Sequence, residues 1–131
     1  MSVDTFLHHP PALAHVLLVE DEESIRAMLA EEFSSHGLIV TEAADADEAW
    51  NILEAGAGVD LVFSDIRMPG SMNGTELMRR VRRNFPHIKR VLTSGNPGPD
   101  NMPELGRFLQ KPYRLETAAR MALDVLGLPC A

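Results

Sequence analysis

The sequence predicts a single α/β domain in which five parallel strands form an open, doubly wound sheet with helices on both faces. Three observations carry this. From His15 onward, short apolar β-rich runs alternate with amphipathic stretches of helical length. The first run, Val16-Leu17-Leu18-Val19, is apolar without interruption, as strands are when both faces of a parallel sheet are covered. The repeating strand-helix order is that of βαβ units, whose crossovers are right-handed in nearly all known sheets.

After the first strand, Ile25, Met28, Leu29 and Phe33 fall at helical spacing, and Gly37 follows as a residue able to take positive φ past the helix end. Leu38-Ile39-Val40 reads as the second strand. Asp45 with Glu48 three residues later forms a capping-box pattern, and Ala46, Ala49, Trp50 and Leu53 supply an inward stripe up to Gly56. Leu61-Val62-Phe63 is the third strand and ends at Ser64 and Asp65. A loop over 69–74 leads to Leu77, Met78, Val81 and Phe85, a third helix closed by Pro86, with Arg79, Arg80, Arg82 and Arg83 directed to water. Residues 88–92 form the fourth strand and Phe108-Leu109 a short fifth. Leu115, Ala118, Ala119, Ala122, Val125 and Leu126 mark the closing helix. Pro97, Pro99 and Pro103 break the stretch 95–106, so the fourth helix, between the fourth and fifth strands, is expected to be shortened or missing. The domain is bounded at 15–127, between an N-terminal tail, 1–14, and a C-terminal tail, 128–131.

Composition narrows the functional classes. The 131 residues suit one domain, and 45% hydrophobic with 24% charged residues is ordinary globular usage. A formal net charge of -7 argues against a nucleic-acid partner, whose phosphates need clustered cations. The single cysteine, Cys130, excludes an internal disulfide and a zinc cluster and fits a reducing compartment. No run reaches the roughly 20 apolar residues of a membrane span, and the N-terminal residues have neither the basic nor the apolar region of a secretory signal. The expected location is the cytoplasm, with no membrane contact.

Function in such sheets lies beyond the carboxyl ends of the strands. Those ends carry Glu20-Asp21, Asp65, Thr93-Ser94 and Lys111. Three acids meeting at one edge raise each other's pKa unless a cation joins them. Magnesium, a hard ion that sits between one or two carboxylates and a phosphate, is the expected cofactor. Taken alone, Glu20, Asp21 and Glu22 read as charges favouring a helix N-terminus, and Lys111 as a solvated lysine; the ordered set reverses the first reading, and Pro112 with the preceding strand reverses the second. The histidines 8, 9, 15, 36 and 87 show no ligand spacing, Trp50 sits on a core stripe, and the arginines from Arg79 to Arg83 read as a wet helix face with acidic-partner docking as the minority reading.

The set VLLVEDEESIR (16–26), SDIRMPGSMNG (64–74), LTSG (92–95) and FLQKPY (108–113) resembles the response-regulator receiver domains of bacterial two-component systems. The resemblance implies a flavodoxin-like sheet of order 2-1-3-4-5. Asp65 is then the phosphoacceptor. Asp21, Asp65 and the Arg67 carbonyl would be direct magnesium ligands, and Glu20 would act through a metal-bound water. Lys111 and a switch hydroxyl would hold phosphoryl oxygens. Ser94, followed by Gly95, is the better match for that hydroxyl, and Thr93 the other choice. Phe108 matches the aromatic that moves on activation, and Arg67 and Asn96 lie where the family tunes phosphoryl lifetime. The loop from Asp65 to Gly74 is one residue longer than the commoner form, and the segment after Ser94 is shorter.

The implied protein is a switch rather than a turnover enzyme, limited to self-catalysed phosphotransfer and dephosphorylation. A sensor histidine kinase or histidine phosphotransfer protein would phosphorylate it. It would stand alone or within a hybrid kinase, as monomer or weak dimer, and signal through 95–107 and the face of helix 114–126. The alternative is a receiver-like module that binds partners without phosphorylation. A phosphatase of the haloacid-dehalogenase type would need a second aspartate where Arg67 stands, and a nucleotide-binding domain would need a glycine-rich motif after the first strand that is absent.

Overall fold

The computed structural model of the chain describes residues 14–95 and 103–129. Its elements are β1 (His15–Val19), α1 (Glu23–Ser35), β2 (Ile39–Ala43), α2 (Ala46–Glu54), β3 (Leu61–Asp65), α3 (Gly74–Asn84), β4 (Lys89–Ser94), a 3-10 turn (Pro103–Leu105), β5 (Arg107–Gln110) and α4 (Leu115–Leu126). The strands form one parallel sheet of order β2-β1-β3-β4-β5. Between β4 and β5 the described residues hold the 3-10 turn and no α-helix, while Pro97, Pro99 and the rest of 96–102 lie outside them. No described helix is long and apolar enough to cross a membrane.

Alternation along β1 divides the core in two. Leu17 and Val19 point to the face covered by α2 and α3, where Ala46, Ala49, Leu53, Leu77, Met78 and Val81 close over them. Val16 and Leu18 point to the face covered by α1 and α4, against Leu29, Phe33, Ala118, Ala119, Ala122 and Leu123. Phe33 and Phe63 meet edge to face at 5.1 Å in that second layer, and both are fully buried. Side chains of this size each stabilise the fold by roughly 1.5–3 kcal/mol when removed from water.

Local signals behave as the sequence indicates, with instructive exceptions. Asp45 Oδ1 accepts the Glu48 N–H at 2.8 Å, while Glu48 reaches back to the Ala44 N–H at 2.6 Å, one residue before the usual capping-box partner. Gly37 takes φ 86° after α1. The second strand runs to Ala43 and starts after Leu38, because an edge strand needs only one paired side and tolerates polar Thr41 and Glu42. His15 Nε2 meets Thr41 Oγ1 at 2.6 Å and Arg26 pairs with Glu42 at 3.2 Å. Met28 is 50% exposed rather than inward. Arg80 is not a free water-facing side chain: it lies 5.8 Å over Trp50, which packs on Phe85, and pairs with Glu76 at 3.1 Å.

The loop after β3 is held from two sides. The Gly74 N–H donates to the Ile66 carbonyl at 2.9 Å, and a Cβ on Gly74 would stand 2.0 Å from the Asp65 carbonyl oxygen. No side chain fits there. On the outer side Ser71 Oγ donates to Asp47 Oδ1 at 2.7 Å, the Ser71 N–H reaches Asp47 Oδ2 at 3.3 Å, and Met72 is buried. The loop is therefore pinned to α2 rather than left loose.

Gly74→Ala is expected to cost about 1–3 kcal/mol as an overpacking change, read as a lower urea midpoint with an unchanged slope. Asp47→Ala is expected to speed exchange of the Ser71 amide, while Asp47→Asn, which keeps an acceptor oxygen, preserves most of its protection.

Candidate active site

Because the strands are parallel, their carboxyl ends open on one edge, and the chain puts an acid, a hydroxyl or an ammonium at four of them. Glu20 and Asp21 follow β1, Asp65 ends β3, Ser94 ends β4 and Lys111 follows β5. Glu20, Asp65 and Ser94 are buried, while Asp21 is exposed. One carboxylate oxygen from each of Glu20, Asp21 and Asp65 lies within 4.8 Å of the others. Lys111 Nζ donates to Asp65 Oδ2 at 2.7 Å and stands 4.0 Å from Glu20 Oε1. Asp65, Arg67, Ser94, Gly95 and Lys111 line a cleft of about 340 Å³.

Backbone bonds fix these positions. The Lys111 N–H donates to the Ser94 carbonyl at 2.8 Å, extending the β4–β5 ladder by one step, and the Lys111–Pro112 peptide is cis. The Thr93 carbonyl accepts the Ile66 N–H at 2.9 Å, so Thr93 ties β4 to the start of the loop while Ser94 lines the cleft. Glu20 Oε2 accepts the Glu22 N–H at 3.0 Å, at the entry to α1, and Arg26 donates to the Glu20 carbonyl at 2.8 Å. Helix capping and membership of the acidic cluster are thus combined in Glu20, whereas Glu22, at the N-cap, makes no side-chain cap.

The electrostatics are unbalanced in a definite direction. Burial pushes the Glu20 carboxyl up, and Asp65 and Asp21 push it the same way, against the Glu22 N–H and Lys111. Burial works to lower the Lys111 ammonium, but the hydrogen bond to Asp65 and the charges of Asp65, Glu20 and Asp21 outweigh it and hold the group charged. Like charges about 4–5 Å apart repel by roughly 3–4 kcal/mol at an effective dielectric near 20. Three carboxylates against one ammonium leave a formal excess of two negative charges. All the donors are oxygens and an open cleft adjoins them, so the residues fit a magnesium ion, which takes few protein ligands and keeps waters.

Glu20, Asp21, Asp65, Ser94 and Lys111, singled out from sequence, come together at this edge, and Arg67 lines the same cleft. Phe108 is half-buried against the α2–α3 core. Asn96 lies outside the described residues. Three participants went unread in the sequence. Tyr113 is half-buried, and burial followed by the Glu20 and Asp65 charges raises its pKa, so its phenol stays neutral beside the cluster. Gly74 and Asp47 hold the loop through tertiary contacts, for which a linear sequence carries no spacing signal.

Comparison with known proteins agrees with this fold. Residues 16–119 match the family model described as the response regulator receiver domain. The chain is 39% identical over 119 residues to the sensor kinase CckA of Brucella abortus, covering 86% of this chain but 12% of that protein. It is 33% identical over 124 residues to the response regulator protein FleR of Pseudomonas aeruginosa, covering 86% of this chain and 25% of that one. Among solved structures, the chemotaxis response regulator CheY4 of Vibrio cholerae superimposes with a TM-score of 0.76 at 30% identity, over 87% of this chain and 99% of that one. The chain thus spans an eighth to a quarter of these two curated relatives, while the solved neighbour is matched over nearly its whole length. With the match running from the first strand into the last helix, the chain belongs to the response regulator receiver domain family of two-component systems.

Proposed function

We propose that the chain accepts a phosphoryl group on the Asp65 carboxylate in a magnesium-dependent step, and that the modified carboxylate switches a protein–protein contact. The observation that carries this reading is the 2.7 Å approach of Lys111 Nζ to Asp65 Oδ2 beside the other two carboxylates. An isolated strand-end aspartate would need no such setting.

Asp65 attacks phosphorus in line with the departing group. The new oxygen–phosphorus bond forms as the phosphorus–nitrogen bond of a donor phosphohistidine breaks, and that nitrogen takes up a proton. Lys111, a compact charge, would shift from the free carboxylate to a phosphoryl oxygen. Ser94 Oγ would donate to a second oxygen. Glu20, Asp21, Asp65 and the Arg67 carbonyl would hold magnesium, whose charge offsets that of the carboxylates and the incoming phosphoryl group. Water attacking the same phosphorus would release inorganic phosphate and reset the carboxylate.

A sensor histidine kinase or a histidine phosphotransfer protein is the donor this chemistry implies, and a cytoplasmic site of action follows from such donors. The match to part of a sensor kinase supports a receiver within a hybrid kinase, and the nearly full-length match to CheY4 supports one that stands alone. The output would run from Ser94 through Phe108 to the segment 95–107 and the face of α4. Residues 96–102 of that route lie outside the described residues.

Acetyl phosphate with magnesium is expected to add one phosphoryl group to the intact protein by mass spectrometry, and Asp65→Asn to abolish the gain. Equal labelling of the two proteins would refute the assignment. Lys111→Ala is expected to slow labelling by roughly 10²-fold, the scale of losing one preorganised donor to developing charge. Millimolar magnesium alone should shift the amide resonances of Glu20, Asp21 and Ile66, and Asp21→Ala should remove the response. A wild-type protein whose spectrum ignores magnesium would favour phosphorylation-independent binding.

A further inference from the structure

Six of the chain's 12 lysines and arginines fall between Arg79 and Arg90, a stretch holding no Asp or Glu in a protein of net charge -7. Helical spacing places Arg79, Arg82 and Arg83 at i, i+3 and i+4, on one side of α3. Arg80 turns the other way, onto Trp50. With Glu104 and Leu105 of the 3-10 turn, these three arginines line a cleft of about 460 Å³, within the range of ligand-sized pockets. Leu105 is buried and gives the cleft an apolar base.

Two of the three guanidinium groups meet no carboxylate among the described residues. The side chains of Arg82 and Arg83 make no hydrogen bond or ion pair among the described residues, although Glu104 lines the same cleft. Arg79 is 4.0 Å from Glu76. Arg90 comes up from the sheet and spends its donors on the Leu105 carbonyl at 2.8 Å and the Ile88 carbonyl at 2.9 Å, not on a carboxylate. Burial and the neighbouring Arg82 charge both push its pKa down, a sign of like charges held together. Arg82 and Arg83 complement the C-terminal dipole of α3. That explains cations at the helix end but not their grouping around one cleft with Arg90 close to Arg82.

We propose that this cleft docks a short acidic stretch of a partner polypeptide, with Arg82 and Arg83 taking its carboxylates. Guanidinium groups grip carboxylates in paired hydrogen bonds. Glu104 and the overall negative charge disfavour a nucleic acid, whereas a polypeptide brings N–H groups that a carboxylate can accept. The cleft lies toward the opposite edge of the sheet from Asp65: Arg90 is registered with Val62, three residues before Asp65 along β3. A partner can therefore sit here while the phosphoryl site is engaged, and the inference stands independently of phosphorylation.

The test is fluorescence anisotropy of the full chain with a short fluorescein-labelled glutamate-rich peptide, its glutamine counterpart and a single-stranded oligonucleotide, at low and moderate salt. The glutamate peptide is expected to bind, to weaken with salt, and to lose at least about tenfold in affinity to R82Q/R83Q. That variant should keep wild-type circular dichroism and acetyl phosphate labelling, which separates this result from failure of the Asp65 reading. In amide spectra the peptide should shift residues 79–83 and 103–106. Equal binding of the glutamine peptide, an unchanged affinity in R82Q/R83Q, tighter binding of the oligonucleotide, or no binding at all overturns the proposal. So does self-association by sedimentation that the variant removes, since the occupant would then be a second copy.

Discussion

The ion pair between Lys111 and Asp65 joins residues 46 positions apart and depends on the whole right half of the sheet. For Nζ to reach Oδ2 at 2.7 Å, β5 must lie beside β4 and β4 beside β3, each in one register. A slip of one residue in either ladder would turn Ser94 or Lys111 to the other face. The hydrophobic layers on the two faces enforce that register, because Leu92 and Val91 must face opposite cores for both to close. The site's chemistry is therefore a consequence of packing some distance from it.

Much of this was legible because its causes are local or periodic. An unbroken apolar run such as Val16 to Val19 signals a doubly covered strand, and a polar residue at its end signals an edge. Glu20, Asp21, Asp65, the Thr93-Ser94 pair and Lys111 follow from that logic before any resemblance is invoked, and the resemblance then selects Ser94. Where the reading failed, the reason was tertiary. The second strand continued through Thr41 and Glu42 because His15 and Arg26 partner those polar groups, and neither partner is a neighbour in sequence. Met28 had helical spacing yet stayed exposed, because the spacing fixes a helix face but not how far the covering element extends. Tyr113, Asp47 and Gly74 serve the site through contacts that no motif length encodes.

The loop after β3 shows how a connection can be held without loosening a site. Length by itself costs little entropy, but a slack loop would let the Arg67 backbone wander. The chain answers with two constraints of different kinds. Gly74 permits an approach to the Asp65 carbonyl that any Cβ would block, and the Asp47 carboxylate takes both donors of Ser71. The first fixes where the loop ends, and the second fixes how it bulges. Between them the backbone from Ile66 to Met72 is placed by the sheet on one side and by α2 on the other.

Charge is distributed along the strands as unevenly as it is along the sequence. The carboxyl edge collects Glu20, Asp21 and Asp65 around a single ammonium, and the other end of α3 collects guanidinium groups with few carboxylates to answer them. Neither arrangement is favoured by the chain's own electrostatics. Fold stability alone would spread such charges, since surface pairs are worth little and like-charge crowding is unfavourable. Each pole would be relieved by something of opposite sign from outside: a divalent cation at the first, carboxylates at the second. The β3–β4 register keeps the poles apart, so occupation of one leaves the other electrostatically open, and the domain can present both at the same time.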